Sequence, residues 1–232
     1  MLMDKVNYEI RVPDKYRFER KFLVEDLSYE EIEKLIKFNS ACFKEIYQSR
    51  RINNIYFDTI NYSNYEDNVE GNTNRSKLRI RWYGNLFGEC KNPIIEIKNK
   101  KGLLGWKERY AIENFTLNRN EYIDFKDLSI PKHRIETCHN LQGLKPVLIN
   151  SYLRTYYSSN NKFRLTIDKN IDYYGVNPIR NMTPSSLVNK SYVIELKYNA
   201  QYDSIVDQII QEFPFRLSKN SKYAVGIEKI IT

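Results

Sequence analysis

Apolar and polar residues alternate strictly over several short stretches of the chain. In Lys77-Leu78-Arg79-Ile80-Arg81-Trp82-Tyr83 the even positions are apolar and Lys or Arg fills most of the odd ones. The same alternation places Glu96 and Lys98 in one strand, Arg164 and Asp168 in another, and Glu195 and Lys197 in a third. Side chains alternate faces along a strand, so each pair projects from one face and the intervening apolar residues from the other. The pattern predicts strands over 16–24, 51–57, 76–83, 94–100, 105–112, 147–157, 163–169 and 192–198.

A different period marks the helices. Ser28-Tyr29-Glu30-Glu31 reads as a capping box opening a helix to about Phe38, with Ile32, Leu35, Ile36 and Phe38 as its buried stripe. A short helix is expected over 62–68, stopped by Gly71, and a second amphipathic helix over 202–213, closed by Pro214. The region 117–144 is the least patterned, and 217–223 is polar and basic before the final stretch 224–231. Runs of strands with few helices, and no regular alternation of the two, argue for an α+β fold built on an antiparallel sheet or barrel. At 232 residues a single domain spanning 1–232 is expected.

Composition sharpens this. The 19 Tyr and 11 Phe against 8 Gly suit a strand-rich fold, and the formal charge of +8 points to a polyanionic partner. Cys42, Cys90 and Cys138 are odd in number and widely spaced, and they read as reduced thiols of a cytoplasmic protein. No apolar run approaches the roughly 18 residues of a membrane span. His133 and His139 flank Cys138, but in an unpatterned region they read as surface residues rather than a metal site.

The bland account of any one alternating strand is a sheet with one wet face. The set is different, because like charges opposed across a sheet destabilise it and an ordinary wet face mixes signs. Two cations about 6 Å apart at an effective dielectric near 20 repel by roughly 3 kcal/mol. A surface that gathers so many is costly unless acids and a bound anion offset it. Glu19, Glu96, Asp168 and Glu195 each lie on a strand beside a base. Such carboxylates either pair with those bases or hold Mg²⁺ or Mn²⁺. Metal binding is favoured for Glu195 and salt bridging for the other three.

The order of motifs carries further. ERKF at 19–22, IYFD at 55–58, KLRIRWYG at 77–84, IEIK at 95–98, LRTYY at 153–157, FRLTID at 163–168, VIELK at 193–197 and SKY at 221–223 follow one another along the chain. Together they resemble the VTC domain, the polyphosphate polymerase domain of the vacuolar transporter chaperone complex. That domain belongs to the CYTH-like superfamily of triphosphate tunnel metalloenzymes. The resemblance implies an eight-stranded antiparallel β-barrel, a triphosphate tunnel, with a few flanking helices. It also implies transfer of the terminal phosphate of ATP or another nucleoside triphosphate to polyphosphate or pyrophosphate, assisted by Mn²⁺ or Mg²⁺. By motif position, Lys21, Arg79, Arg81, Lys98 and Arg164 are expected at the reacting phosphates. Arg154, Lys107, Arg109, Lys197, Lys219 and Lys222 are expected along the rest of the phosphate chain, and Glu195 at the metal. Where the triphosphatase and cyclase branch has an ExExK strand, this chain has Arg17, Glu19 and Lys21, a base in place of the first acid. That favours a phosphate-chain site with fewer metals. Hydrolysis of tripolyphosphate or nucleoside triphosphates and non-catalytic polyphosphate binding remain open. Nucleic-acid binding ranks low, since interleaved acids suit a tunnel better than a stacking groove.

Overall fold

The computed structural model describes residues 17–102, 104–119, 143–177, 181–184 and 190–231. The capping box forms as expected. Ser28 Oγ accepts from the Glu31 backbone N–H at 3.3 Å, and Glu31 Oε2 accepts from the Ser28 N–H at 2.8 Å. It opens α1 (Tyr29–Phe38), which buries Ile32 and Ile36 completely, each worth on the order of 2 kcal/mol. Leu35 is half-buried, whereas Phe38, expected in the same stripe, lies on the helix's outer side and is 86% exposed. The other helices are α2 (Ser63–Val69), α3 (Asp203–Gln211) and α4 (Lys222–Ile231).

The strands are β1 (Arg17–Val24), β2 (Lys44–Asp58), β3 (Asn74–Tyr83), β4 (Gly88–Cys90), β5 (Ile94–Lys101), β6 (Leu104–Ala111), β7 (Phe115–Leu117), β8 (Lys145–Ser159), β9 (Phe163–Asn177), β10 (Asn181–Pro184) and β11 (Tyr192–Asn199). Eight of them form one antiparallel path in the order β1-β11-β9-β8-β2-β3-β5-β6, with β10 added beside β9 and a separate β4–β7 pair. This is the antiparallel architecture expected of the tunnel fold. The path is curled but not laddered shut, since among the described residues β1 and β6 do not pair. The free edge of β1 is met by the C-terminal tail, through a Phe22–Leu217 bridge and a hydrogen bond from the Ser218 N–H to the Lys21 carbonyl at 2.8 Å.

Period-two alternation decides what lies on each side of the curl. On the convex side, Ile55, Leu78, Ile80, Trp82, Ile95 and Ile97 pack beneath the β4–β7 pair through Cys90 and Leu117. Phe22, Val24, Leu165, Ile167, Ile194 and Leu196 pack beneath α1 and α3. The apolar faces are thereby covered, and the charged faces are left on the concave side. One end of the hollow is filled by α4. Tyr223 and Ile227 pack among Tyr56, Leu148, Ile171 and Tyr173. Gly226 approaches so closely that a Cβ there would lie 2.5 Å from Leu148 Cδ2 and 2.7 Å from Tyr173 Cδ1.

The expected middle segment lies mostly at 120–142, outside the described residues, as do Tyr16, His133, Cys138 and His139. Cys42 and Cys90 are free thiols, and burial pushes that of Cys90 up to about 12. No described helix is long and apolar enough to cross a membrane.

Candidate functional site

Three groups of ion pairs line the concave face. The first is built on β3, β5 and β6, whose register sets Glu96 opposite Arg79 on one side and Arg109 on the other. Glu96 Oε2 accepts from Arg79 Nη2 at 2.6 Å and Nε at 2.7 Å and lies 3.5 Å from Arg81 Nη1. Its Oε1 meets Arg109 Nε at 3.1 Å and the Lys107 ammonium. Burial works against the charge on Glu96, but Arg79, Arg81 and Lys107 outweigh it and hold the carboxyl well below the usual range. The same crowd acts the other way on Lys107. Burial and then Arg79 lower its pKa to about 7, against the pull of Glu96.

The second group joins β8, β9 and α4. Asp168 is fully buried and accepts a two-pronged contact from Arg154, Nε to Oδ1 at 2.5 Å and Nη2 to Oδ2 at 2.7 Å. Lys222, at the start of α4, reaches Oδ2 at 2.5 Å. Burial opposes the Asp168 charge, and Arg154 and Lys222 overcome it, so the carboxyl sits below its ordinary value. The Tyr152 ring lies 5.3 Å from the Arg154 guanidinium and 5.0 Å from the Lys222 ammonium. Its hydroxyl receives Arg81 Nη2 at 3.5 Å.

The third group spans β1 and β11, where Glu19 pairs in register with Lys197 and Lys21 with Glu195. Lys21 Nζ lies 2.7 Å from Glu19 Oε1 and donates to the Asn220 carbonyl at 3.1 Å. Lys197 Nζ lies 3.5 Å from Glu19 Oε2 and also contacts Glu195 Oε1. Burial opposes the charge on Glu195, yet Lys197, Arg154 and Lys21 hold its carboxyl well below the usual range. Lys98, on the far arm of the sheet, is kept below its ordinary pKa by burial, with Lys21 and Lys197 adding to the effect and Glu19 resisting it. The two ends of the strand path therefore face one another across the hollow.

The register places Arg164 on the same face of β9 as Asp168 and opposite Lys197, exposed toward the end away from α4. Lys219 is exposed on the loop before α4 and takes no part in these ion pairs; its neighbour Asn220 supplies the contact to Lys21. The other predicted site residues share the concave face. Lys77 was missed, although the period that marks Arg79 and Arg81 marks it too. It donates to Asn68 Oδ1 at 2.5 Å, and burial, then Arg75, Lys98 and Lys21, bring it down to about 7. Asn54, which accepts from Arg81 Nε at 2.9 Å, and Tyr56, which accepts from Arg79 Nη1 at 3.3 Å, carry no charge pattern to betray them. The Thr166 hydroxyl and the Asn150 amide nitrogen on this face are buried without a protein partner among the described residues.

A divalent cation has a narrow choice here. Glu96 and Asp168 have both oxygens committed to bases, and no cluster of three or more His, Cys, Asp or Glu occurs among the described residues. Glu19 is likewise engaged through both oxygens, by Lys21 and Lys197, so Glu195, whose Oε2 lies outside these ion pairs, is the carboxylate left for a cation among the described residues. That donor fits Mg²⁺ or Mn²⁺, which take one or two carboxylates and complete their shells with water and phosphate oxygens.

The family profile of the VTC domain matches residues 16–231. The chain belongs to the VTC domain family. Membership ties the cationic hollow of this VTC domain to polyphosphate or triphosphate chemistry. Among solved structures, the VTC chain is similar to the PH1819 protein from Pyrococcus horikoshii OT3, with 14% identity and a TM-score of 0.52 over 92% of this chain and 99% of that one. It is also similar to a protein of Vibrio parahaemolyticus described as a candidate adenylate cyclase, with 10% identity and a TM-score of 0.50 over 94% and 99%. At such identities these likenesses concern the fold alone. No curated protein matches the chain in sequence.

Proposed function

We propose that this VTC domain is a polyphosphate polymerase, transferring the terminal phosphate of ATP to a growing polyphosphate chain and releasing ADP, with Mn²⁺ or Mg²⁺ held by Glu195. The observation that supports this best is the commitment of the carboxylates. Glu96 and Asp168 serve to order Arg79, Arg81, Lys107, Arg109, Arg154 and Lys222, and Glu19 is engaged by Lys21 and Lys197, which leaves Glu195 for metal. A two-metal hydrolytic site, which clamps both the attacking and the leaving oxygen, needs more free carboxylates than that. Transfer to a phosphate acceptor already ionised at neutral pH needs no strong base, only positioning and compensation of charge.

Each wall has a part in such a reaction. Arg79, Arg81, Lys98 and Arg164 offset charge on the transferred group, and Lys21 holds its flank. Arg154, Lys107, Arg109, Lys197 and Lys222 bind the remaining phosphates, with Lys219 at the edge of the tail. Glu195 would hold the divalent ion, whose charge would offset part of that on the phosphates.

The test is purified protein with ATP and Mn²⁺, with and without pyrophosphate as primer, resolved by gel for polyphosphate and assayed for free phosphate. A ladder of lengthening chains is expected. Lys21→Ala, Arg164→Ala and Glu195→Gln should each lower turnover by at least about tenfold while the protein still folds, as a cooperative unfolding transition would verify. Free phosphate without a ladder would make the domain a hydrolase. Tripolyphosphate binding without turnover would make it a binding module.

A further inference from the structure

The register orders the concave residues from one end of the hollow to the other. Along the neighbouring strands β2, β3 and β8, Asp58 and Lys77 lie toward the end filled by α4, while Arg50, Tyr83 and Tyr156 lie toward the opposite end. The α4 end is packed with Tyr56, Tyr173, Tyr223 and Ile227, each at most 6% exposed. A nucleoside attached to a triphosphate would have to displace that packing, which favours the other mouth. That mouth has an aromatic rim: Tyr47 is 55% exposed and Tyr83 45%.

We propose that Tyr47, Tyr83 and Tyr156, with Arg50, form a nucleoside platform at this mouth, holding the base by stacking while the triphosphate runs inward. The inference rests on the nucleotide-dependent reading given above.

The rim is continuous with the phosphate walls. Tyr47 meets Tyr156 edge to face at 5.9 Å, and the Arg50 guanidinium lies 5.4 Å from the centre of the Tyr47 ring. Tyr156 follows Arg154 by two residues on β8, on the same face, and is opposite Thr166 in the register of β9. Burial raises the Tyr156 phenol, with Arg154 and Arg50 pulling it down and Tyr83 and Tyr152 pushing it up, so these groups share one neighbourhood. Flat rings beside a guanidinium suit a base and the first phosphate attached to its ribose. Neither Tyr47 nor Tyr83 buries enough of itself to count as core. Exposed tyrosines where a cationic channel opens, rather than further lysines, distinguish a nucleoside mouth from a plain polyphosphate channel. Stacking also tolerates any base, since every base has a π-face.

Calorimetric titration with ATP, GTP and tripolyphosphate, without added metal, tests this. Tyr47→Ala/Tyr83→Ala should weaken ATP and GTP alike by about tenfold and leave tripolyphosphate within about twofold. Tyr47→Phe/Tyr83→Phe, which keeps the rings, should retain nearly all of the ATP affinity. Equal losses for ATP and tripolyphosphate, or no loss for ATP, would overturn the platform while leaving the phosphate walls standing. Wild-type protein that bound tripolyphosphate but not ATP would overturn it too. Wild-type protein that bound none of the three would overturn the platform together with the polymerase reading.

Discussion

Four carboxylates decide the character of the concave face. Glu96 alone gathers Arg79, Arg81, Lys107 and Arg109, so these cations are held in position before any substrate arrives. Acids and bases respond oppositely to the crowding. Glu96, Asp168 and Glu195 have depressed pKa values in the folded state, so their contribution is present above the usual carboxylate range and is lost only at lower pH. Lys77 and Lys107, brought down to about 7, bind fewer protons when folded than when unfolded between about pH 7 and the ordinary lysine value of about 10. Stability of the ligand-free protein should therefore rise with pH across that window. Urea unfolding at pH 7 and 9 measures it. Saturating tripolyphosphate, which favours the charged lysines, should flatten the rise, and Lys77→Met should remove part of it.

At the scale of elements, α4 closes one end of the hollow and also brings Lys222 to Asp168. Its fit depends on Gly226, whose missing Cβ admits Leu148 and Tyr173. Gly226→Val should cost about 2 kcal/mol or more in urea unfolding and weaken tripolyphosphate binding through misplacement of Lys222. How legible the elements were follows from their surroundings. Strands covered on one side only, such as β3 and β11, advertise themselves by alternation, and α1 does so by its cap and stripe. The first half of β2, Lys44 to Arg50, is exposed throughout and is held by pairing with β8, so no apolar rhythm marks it. The three-residue strands β4 and β7 are too short for a period, and α4 is apolar on more than one side because it fills a hollow. The cations of the site were legible for the same reason as the strands. Their partners were not. That Glu96 faces both Arg79 and Arg109, or Asp168 both Arg154 and Lys222, depends on register between strands and on the docking of a helix, and no single strand encodes either.

Across the whole molecule, the curled sheet has two arms, one ending at β1 and the other at β6, joined through the long β2–β8 ladder. Lys98 on one arm opposes Lys21 and Lys197 on the other. A polyanion between the arms should relieve that repulsion and draw them together. Hydrogen exchange should then slow in β1, β5 and β6 on adding tripolyphosphate, with little change in α1 and α3. Uniform slowing throughout would point to general stabilisation instead. The pairing of β1 with β11 has a consequence in time. It joins parts of the chain as far apart as Arg17 and Asn199, 182 positions, and it alone sets Glu19 beside Glu195. Contacts so distant in sequence are slow to form because the intervening loop must be closed first. During refolding the carboxylate pair can assemble only once that long loop has closed, so recovery of catalysis would serve as a clock for the last stage of folding rather than for collapse.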